Sequence, residues 1–481
     1  MTGPIRLTIE EVHQDGCTDN LDGSDFYADV NVAGQAQRFG KIDDEDDLVN
    51  PSGWTLEKIV DVNAMPTATV SIDLWEFDGF FNFEDDHCDI NPASGLPLTM
   101  SVPLIGCTVT GDATGACNTT ITSKGNDEGD GDAEIKFRIE VDEPSSAPGI
   151  TVRCTHEPLW PKPGDDVTIK VESLDGAVQV ADGVDHSKVA DAVEVWVTER
   201  TGPDLNLPNR SNAEHIVNDV PAGDLLYGCR VRDDGASVFT GWRRTRVGPP
   251  QEGKAIPVLY TGDRKSRVDI VFVADTDSYS AADDSDFLED AGDVIRDAYY
   301  GQIDFLENQD KINFWLADTV GDMDRVPNPA DPPNPICMLT PPSNFATDYS
   351  WRDAGAILHT DVLRDCANNR LFSSEPTSLA VVLHETGHQP FGMADEYCCD
   401  GGYFENPPNP NLWDSLAECQ SDAPDLGRVA GDCRTFTDTG GTDWMLSDPA
   451  ANDLMNDNGL PQAGDLRRMN WFYGNCVAEK C

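Results

Sequence analysis

Two histidines and a glutamate stand close together in the last third of the chain, as His384, Glu385 and His388. On a helix, a spacing of four residues places both imidazoles on one face, about one turn apart. Glu385 lies roughly 100° around the helix axis from His384, close enough to hold a water beside an ion bound by the two rings. These residues predict metal-assisted hydrolysis, with both histidines as metal ligands and Glu385 as the general base.

The surrounding sequence favours a buried helix for this motif. Ser374, Glu375 and Pro376 are typical of a helix start, with a capping hydroxyl, an acid and a proline in the first turn. Apolar residues from 379 to 383 lead directly into the motif. The alternative is a surface helix with two incidental histidines. An almost fully apolar helix rarely carries His, Glu and His without a partner for them, so we favour a metal site.

The residues after the helix provide the rest of the predicted site. The pattern H-E-x-x-H is typical of zinc enzymes, and a catalytic zinc takes three protein ligands and leaves one position for water. Pro390 and Gly392 end the predicted helix and turn the chain back. Either Asp395 or Glu396 then supplies the third zinc ligand. Tyr397 either makes a hydrogen bond near the site or packs as an aromatic residue.

A chain of 481 residues has room for roughly two to four domains, each with its own core. We divide it into three domains, at residues 1–145, 150–255 and 256–481. The predicted fold class is multidomain, with two all-β sandwiches followed by an α/β (α+β) domain. No apolar run approaches the ~20 residues of a membrane span, so we expect no transmembrane segment.

The chain is strongly acidic, with 33 basic and 87 acidic residues and a net charge of −54. This charge is spread along the whole chain and would repel a phosphate backbone, so we expect no nucleic-acid partner. Two interpretations of the acidity are compatible. Excess surface acid keeps a protein hydrated in a saline environment, and converging carboxylates bind calcium.

Residues 1–145 alternate apolar and polar residues with a period of two in the segments 5–9, 26–32, 68–75 and 135–141. Gly, Asn, Pro and Asp are frequent between these segments. A β-sandwich is the simplest architecture for this pattern.

Two acidic loops stand out in this first region, one at 15–25 and one that runs from 78 to 89. Carboxylate oxygens that converge from separate loops are what Ca²⁺ requires. The alternative is plain solvated acid in an acidic chain. A Cys17–Cys88 bridge would tie the two loops together and would suit a shared site.

The segments 24–27 and 75–78, with the acids that follow, resemble the first and third loops of the calcium-dependent lipid-binding sandwich family, the C-two fold. The resemblance covers most of the first 142 residues, and its motif is loose. It implies four calcium ligands, namely Asp25, Asp78, Asp85 and Asp86.

The segment 150–255 is also predicted to be β-rich, with strands at 167–171, 193–197, 226–231 and 237–243. The order Cys154, Trp196 and Cys229, with Tyr227 two residues before the second cysteine, resembles an immunoglobulin-like sandwich. Trp196 lies closer to the second cysteine than that pattern usually has it, so only the fold class is carried over. The default role of such a domain is spacing, or binding of a partner or a surface.

A continuous apolar run at 268–273 opens a different kind of domain, because such a run is typical of a strand buried on both faces. A helical stretch is predicted from Ser285 to about Asn308. Further strands are predicted at 312–318 and 354–359. Alternating strands and helices are the α/β pattern.

The segment 384–397 is His-Glu-x-Gly-His, three residues, Gly, two residues and Asp-Glu-Tyr. With the strand at 268–273, it resembles the IgA-peptidase-type zinc metallopeptidases, a metzincin-like zincin family, over about residues 256–481. The resemblance implies Asp395 as the third zinc ligand. It also implies a Met-turn beneath the site at Met455, with Met445 as the other candidate. The alternative for either methionine is core packing.

The predicted function is a zinc-dependent endopeptidase that acts on a protein or peptide substrate, with the two sandwiches as accessory domains. The competing hypothesis is a calcium-stabilised surface or adhesion protein whose zincin domain is inactive. Glu385 favours the first hypothesis, because an inactive site is expected to lose its base. One departure from the family concerns substrate specificity rather than the metal site. The family usually has Gly-Asp-Gly-Tyr after the first strand, whereas this chain has Ala-Asp-Thr-Asp-Ser-Tyr at 274–279.

The 14 cysteines divide into even numbers among the three segments, which favours disulfides over free thiols. No C-x-x-C pair occurs, so the sequence does not support a cysteine zinc site. The start of the chain lacks the basic residues and apolar core of a secretion signal. The even cysteine counts still predict an oxidising compartment, so we expect an extracellular or cell-surface protein. We also expect the protein to be a monomer.

Overall fold

The structure is a computed structural model that describes residues 2–17, 25–43, 48–49, 51, 53–61, 67–77, 85–93, 96–103, 108–117, 119–126, 131–141, 149–175, 185–197, 203–234, 236–248, 255–262, 264–327, 336–397, 402–447 and 452–476. The chain divides into two compact units. Unit 1 comprises Met1–Ser145 with Trp196–Asp204, and unit 2 comprises Ser146–Val195 with Leu205–Cys481. The finer division into three domains stays a prediction.

Unit 1 contains a β-sandwich of two antiparallel sheets. Its strands are β1 (Thr2–Asp15), β2 (Asp25–Val32), β3 (Gln35–Asp43), β4 (Leu48–Val49), β5 (Thr55–Asp61), β6 (Thr67–Glu76), β7 (Asp86–Cys88), β8 (Leu98–Pro103), β9 (Thr108–Gly111), β10 (Gly115–Ala116), β11 (Thr120–Lys124) and β12 (Asp132–Val141). One sheet has the order β11-β12-β1-β4, with β5 also paired to β1. The other has the order β10-β9-β8-β6-β2-β3, with β7 also paired to β6.

Alternating side chains build the core of this sandwich. Every second residue of β12, from Ala133 to Val141, is buried, and β6 alternates in the same way. The buried faces of both sheets share one hydrophobic core. The four strands predicted in this region lie in β1, β2, β6 and β12, so those predictions are confirmed. The structure also contains the Cys17–Cys88 disulfide, which joins the end of β1 to β7.

A second pair of antiparallel sheets follows, and its residues belong to unit 2 apart from Trp196 and Val197. The strands are β13 (Thr151–Glu157), β14 (Val167–Leu174), β15 (Ala190–Val197), β16 (Leu205–Arg210), β17 (Asn212–Val217), β18 (Gly223–Asp233), β19 (Ala236–Phe239) and β20 (Arg243–Val247). One sheet has the order β13-β14-β17, and the other has the order β16-β15-β18-β19, with β20 also paired to β18. The Cys154–Cys229 disulfide joins β13 of one sheet to β18 of the other.

The second segment is β-rich, as predicted, but the strand expected at 237–243 is wrong in its extent. β19 ends at Phe239, and β20 begins at Arg243. Gly241 between them has a φ of 74°, in the left-handed region that interrupts an extended strand. The apolar pattern continues through Trp242 because that side chain is buried even though its backbone leaves the sheet.

His156 lies inside this second pair of sheets. Its Nδ1 is 2.6 Å from the Tyr227 hydroxyl, and its Nε2 is 3.1 Å from the Leu159 carbonyl oxygen. A carbonyl can only accept, so Nε2–H donates to Leu159 and the Tyr227 hydroxyl donates to Nδ1. Both nitrogens are therefore satisfied in the neutral ring, and burial lowers the pKa of His156 to about 4.

A mixed six-stranded sheet forms the centre of the rest of unit 2. Its strands are β21 (Ile256–Leu259), β22 (Val268–Ala274), β23 (Ile312–Leu316), β26 (Ala354–Leu358), β27 (Ala367–Asn368) and β28 (Leu371–Ser374), in the order β21-β23-β22-β26-β28-β27. The four inner strands are parallel neighbours, and every residue of β22 is buried. Two hairpins lie outside this sheet, β24 (Asp322–Val326) with β25 (Ile336–Thr340) and β29 (Arg434–Thr437) with β30 (Asp443–Leu446).

The helices of unit 2 are short. They are α1 (Ser285–Asp293), α2 (Ile303–Glu307), α3 (Phe345–Asp348), α4 (Leu379–His388), α5 (Leu416–Asp422), α6 (Leu454–Asp457) and α7 (Ala463–Trp471). A π-helical segment, Val294–Tyr299, continues α1. The strands predicted at 268–273, 312–318 and 354–359 and the helical stretch from residue 285 are confirmed, although β23 ends two residues earlier than predicted, at Leu316.

The predicted start of the motif helix is wrong. Ser374 is the last residue of β28, where it pairs with Leu358 of β26, and α4 begins only at Leu379. The pairing with β26 explains the difference, because it holds residues 371–374 in an extended conformation that their local sequence does not require.

Two further disulfides join parts of unit 2, Cys337–Cys366 and Cys419–Cys433. Within the described ranges, no helix combines the length and the apolar character that crossing a bilayer requires.

We predict that His156 makes the stability of unit 2 depend on pH. Its pKa is about 4 in the folded protein and about 6.5 when unfolded, so protonation favours the unfolded chain below pH 6.5. The free energy of unfolding should fall by about 2 kcal/mol between pH 7 and pH 5 from this group alone. Urea unfolding at both pH values measures this loss of unfolding free energy. The loss should be smaller by this amount in His156→Gln and unchanged in His215→Gln, a control on β17. An unchanged pH dependence in His156→Gln would contradict the prediction.

Candidate metal centre

Helix α4 carries the motif on a buried face. The side chains from Val382 to Gly387 are buried, including His384 and Glu385, each about 5% exposed. The Thr386 hydroxyl donates to the Val382 carbonyl and accepts from the Tyr299 hydroxyl at 2.8 Å. This contact fixes the helix against the π-helical segment that follows α1.

Three ligand atoms converge at the end of this helix. The Asp395 Oδ1 atom lies 3.3 Å from His384 Nε2 and 3.2 Å from His388 Nε2. The two imidazole rings are nearly perpendicular, at 87°, with centroids 4.9 Å apart. The structure therefore brings together His384, His388 and Asp395, which the sequence analysis named as ligands.

The outer nitrogen of each ring is held by the backbone. His384 Nδ1 is 2.8 Å from the Leu454 carbonyl oxygen, and His388 Nδ1 is 2.9 Å from the Met393 carbonyl oxygen. Because a carbonyl only accepts, each Nδ1 must carry the hydrogen. A neutral ring then has its lone pair on Nε2, the atom that faces Asp395. This is the arrangement of metal-binding histidines, whose other nitrogen donates to a carbonyl or carboxylate.

A tight turn brings Asp395 back to the helix that precedes it. The Gly392 amide donates to the His388 carbonyl, and the Met393 amide donates to the Gly387 carbonyl. Gly392 has a φ of 67°, and a Cβ atom there would lie 2.6 Å from Asn406 Nδ2. Only glycine meets both conditions, which explains its place in the motif.

Glu385 lines the same cavity as the three converging residues. The cavity has a volume of about 550 Å³, and Tyr397 also borders it. Burial raises the pKa of Glu385 to about 7, although the nearby histidines act in the opposite direction. A carboxyl group that titrates near neutral pH is suited to accept and return a proton.

The three converging side chains influence one another electrostatically. Burial disfavours the charged form of Asp395, but the hydrogen bonds and charges of the two histidines outweigh it and hold the pKa of Asp395 well below its usual range. Burial also lowers the pKa of His388, but its contact with Asp395 outweighs this and raises that pKa to about 9. A positive charge between these groups is therefore stabilised, whether a proton or a metal ion supplies it.

Glu396, the other predicted candidate for the third ligand, faces a different set of groups. Its Oε1 atom accepts from Asn411 Nδ2 at 3.0 Å, and its amide donates to the Met455 carbonyl. Its carboxylate lies within a buried group with those of Asp453 and Asp465. Of the two adjacent acids, the structure brings Asp395 to the histidines.

Met455 lies in α6, fully buried against helix α4. A Cβ atom added at Gly387 would overlap the Met455 sulfur, so the methionine packs directly against the motif. Met445, in β30, instead packs with Trp413 and Cys419. Tyr397 lies with its ring 6.3 Å from that of His384.

The predicted calcium ligands of the first sandwich are only partly described. Asp78 lies outside the described residues. Asp25 is paired with Lys41 at 2.6 Å, and Asp85 accepts a hydrogen bond from the Tyr27 hydroxyl at 2.8 Å. Asp86 is the first residue of β7. Within the described part of the chain, none of these acids belongs to a group of three side chains close enough to share an ion, so calcium binding stays a prediction.

The sequence analysis missed two acids of the cavity wall, Asp365 and Glu375. The Asp365 Oδ1 atom accepts from the Ser373 hydroxyl at 2.5 Å. Burial raises the pKa of Glu375 to about 7, and its hydrogen bond with Asp365 acts in the same direction. The position of Glu375 directly after a strand could have identified it. Polar residues at the carboxyl ends of parallel strands commonly line ligand-binding sites.

No protein-family model and no curated protein matches the chain. Among solved structures, it is similar to the pair of C2 domains of Extended-Synaptotagmin 2, at 13% identity over 50% of this chain and 78% of that one, with a TM-score of 0.20. Human GIVD cytosolic phospholipase A2 matches at 11% identity over 53% of this chain and 30% of that one, also with a TM-score of 0.20. A structure described as a C2 domain matches at 13% identity over 29% of this chain and 99% of that one, with a TM-score of 0.19. Matches at these values do not establish a family, so the resemblances stated above stay predictions.

We predict that Asp395 and Glu396 differ in their effect on zinc binding. Asp395→Asn should weaken zinc binding by at least about 100-fold, because a neutral amide replaces a charged oxygen that faces both histidines. Glu396→Gln is the matched control and should retain zinc. The zinc content of the folded variants after dialysis, measured by mass spectrometry, compares them. Equal loss of zinc from both would contradict the choice of Asp395.

Proposed function

We propose that this protein is a zinc-dependent endopeptidase whose ion is held by His384, His388 and Asp395, with Glu385 as the general base. The observation that carries the proposal is the convergence of two Nε2 atoms and one carboxylate oxygen, with each Nδ1 hydrogen donated to a backbone carbonyl. Two nitrogens and one oxygen, with a cavity beside them, form the donor set of a catalytic zinc site.

The distances between these atoms fit a zinc ion. Bonds of about 2.0–2.1 Å in a tetrahedral arrangement place neighbouring ligand atoms about 3.3 Å apart. The distances from Asp395 Oδ1 to the two Nε2 atoms are 3.3 and 3.2 Å. The residues present therefore fit zinc without rearrangement of these contacts.

The residues of the chain divide the chemistry between them. A zinc ion held by the three ligands would supply Lewis-acid activation of a water and of the substrate carbonyl. Glu385 takes a proton from the attacking water, whose oxygen forms the new bond to the carbonyl carbon. Glu385 then gives this proton to the amide nitrogen as the carbon–nitrogen bond breaks, so that one carboxyl group serves as base and then as acid.

The cavity and the disulfides support an extracellular peptidase with a protein or peptide substrate. The cavity is partly open and is bordered by both polar and apolar side chains, including Val381, Met393 and Phe404, which suits a peptide better than a small ion. Disulfides form in oxidising compartments, and the described residues contain four of them. The absence of Glu385-dependent cleavage in the next experiment would favour the competing hypothesis of an inactive adhesion protein.

We predict that Glu385→Gln lowers cleavage of a fluorescently labelled unfolded protein by about 100- to 10,000-fold, because the base and acid are lost together. Zinc content should be unchanged, since Glu385 is not a ligand. Glu418→Gln, on the exposed surface of α5, is the matched control and should cleave at the wild-type rate. Equal rates for wild type and Glu385→Gln would show that the proposed mechanism is wrong.

Calcium binding by the first sandwich is tested separately. If the acidic loops hold calcium, an excess of Ca²⁺ at about 100 times its dissociation constant should stabilise chelator-treated protein by about 2.7 kcal/mol. The unfolding temperature should then rise, and the rise should be smaller in Asp86→Asn than in Asp29→Asn, a control on β2 that is paired with Arg38. An unfolding temperature that Ca²⁺ does not change would contradict the calcium prediction.

A further inference from the structure

A second group of side chains that could bind a metal lies at the ends of two neighbouring strands. His359 directly follows β26, and Glu375 directly follows β28. These strands are parallel, with Leu358 opposite Ser374, so His359 and Glu375 leave the sheet side by side. The carboxyl ends of parallel strands are where open α/β sheets bind their ligands.

Asp365 completes this group from the loop between the two strands. The Cys337–Cys366 disulfide anchors the neighbouring residue, so the loop is held in place. One nitrogen of His359 and one oxygen each of Asp365 and Glu375 lie within 4.8 Å of one another. Ligand atoms on opposite sides of an ion with bonds of about 2.1–2.4 Å are about 4.2–4.8 Å apart, so the group is compact enough for one ion.

His359 turns one nitrogen of its ring toward the acids. Its Nε2 atom lies 2.9 Å from Asp365 Oδ1, and the ring is completely buried. Its Nδ1 atom is buried as well and has no hydrogen-bond partner among the described residues. With the ring hydrogen on Nδ1, the Nε2 lone pair faces Asp365 and can bind a cation that the two acids hold.

We propose that His359, Asp365 and Glu375 form a second binding site for a divalent transition-metal ion of the zinc type. One nitrogen and two carboxylate oxygens are a donor set that suits Zn²⁺. The open side of the site faces the cavity, because Asp365 and Glu375 both line it. The site is distinct from that of His384, His388 and Asp395, since the two groups share no residue.

A shared proton is the competing explanation for the contact between the two acids. One oxygen of Asp365 and one of Glu375 lie within 4.8 Å of each other, and two carboxylates this close favour a proton or a cation between them. A shared proton would join only the two acids. A cation would also bind Nε2 of His359, which converges with them at the ends of the two strands.

The test uses the full chain, stripped of metal with a chelator, reloaded with Zn²⁺ alone and dialysed in enough salt to screen weak surface binding. We expect the wild type to retain more zinc per chain than Glu375→Gln, which keeps the size of the side chain but removes its charge. The affinity lost should be at least about 100-fold, because a direct ligand matters more than an outer contact. Asp361→Asn, an acid of the same loop that pairs with Arg325, is the matched control and should retain zinc as the wild type does.

A second variant separates this proposal from the proposed function. His388→Ala should remove an ion from the first site, and the double variant with Glu375→Gln should lose zinc from both sites, so that the two losses add. If His388→Ala has no effect but Glu375→Gln lowers zinc content, the proposed function fails and the second site stands. If Glu375→Gln has the zinc content of the wild type, the second site is overturned and the shared proton is the explanation.

Discussion

The candidate metal centre depends on two hydrogen bonds from imidazole rings to peptide carbonyls. Each bond places a hydrogen on Nδ1 and so directs Nε2 toward Asp395. One carbonyl belongs to Leu454, which is 70 residues from His384 along the chain. The other belongs to Met393, in the turn after the helix. The directions of both imidazole rings therefore depend on helix α4, the turn after it and α6. These three segments must fold together before the site exists.

The packing around the helix follows from that requirement. Segment α6 must approach α4 closely for the Leu454 carbonyl to reach His384, and Gly387 allows this because Met455 occupies the space that a larger residue would fill. The amide of Glu396 donates to the Met455 carbonyl, so the turn that carries Asp395 is also tied to α6. Met455 thus connects the helix, the turn and the outer hydrogen bonds of the site. The buried Met455 therefore packs in the core and contacts the motif helix at the same time.

Local geometry decides which parts of the site could be predicted from sequence. The spacing of His384, Glu385 and His388 was sufficient to place them because the helix itself fixes their relative positions. The choice between Asp395 and Glu396 could not be made from spacing alone, because adjacent residues in an extended segment point to opposite sides. The turn at Gly392 and the contact with α6 decide which of them returns to the histidines. Glu375 was missed for a related reason, since pairing with β26 keeps its neighbours in a strand where the local sequence indicates a helix start.

Charge within the cavity links the two groups of ligands. Asp365, Glu375, Glu385 and Asp395 all line one cavity in a chain whose net charge is −54. Repulsion between carboxylates is stronger in a partly buried cavity than in water, because less solvent screens it. Protons can relieve that repulsion, but each removes one negative charge and the capacity of that acid to act as a base. A divalent ion offsets two charges and leaves the carboxylates ionised. The proposed role of Glu385 as a base is therefore more compatible with metal ions in the cavity than with protonation of its acids.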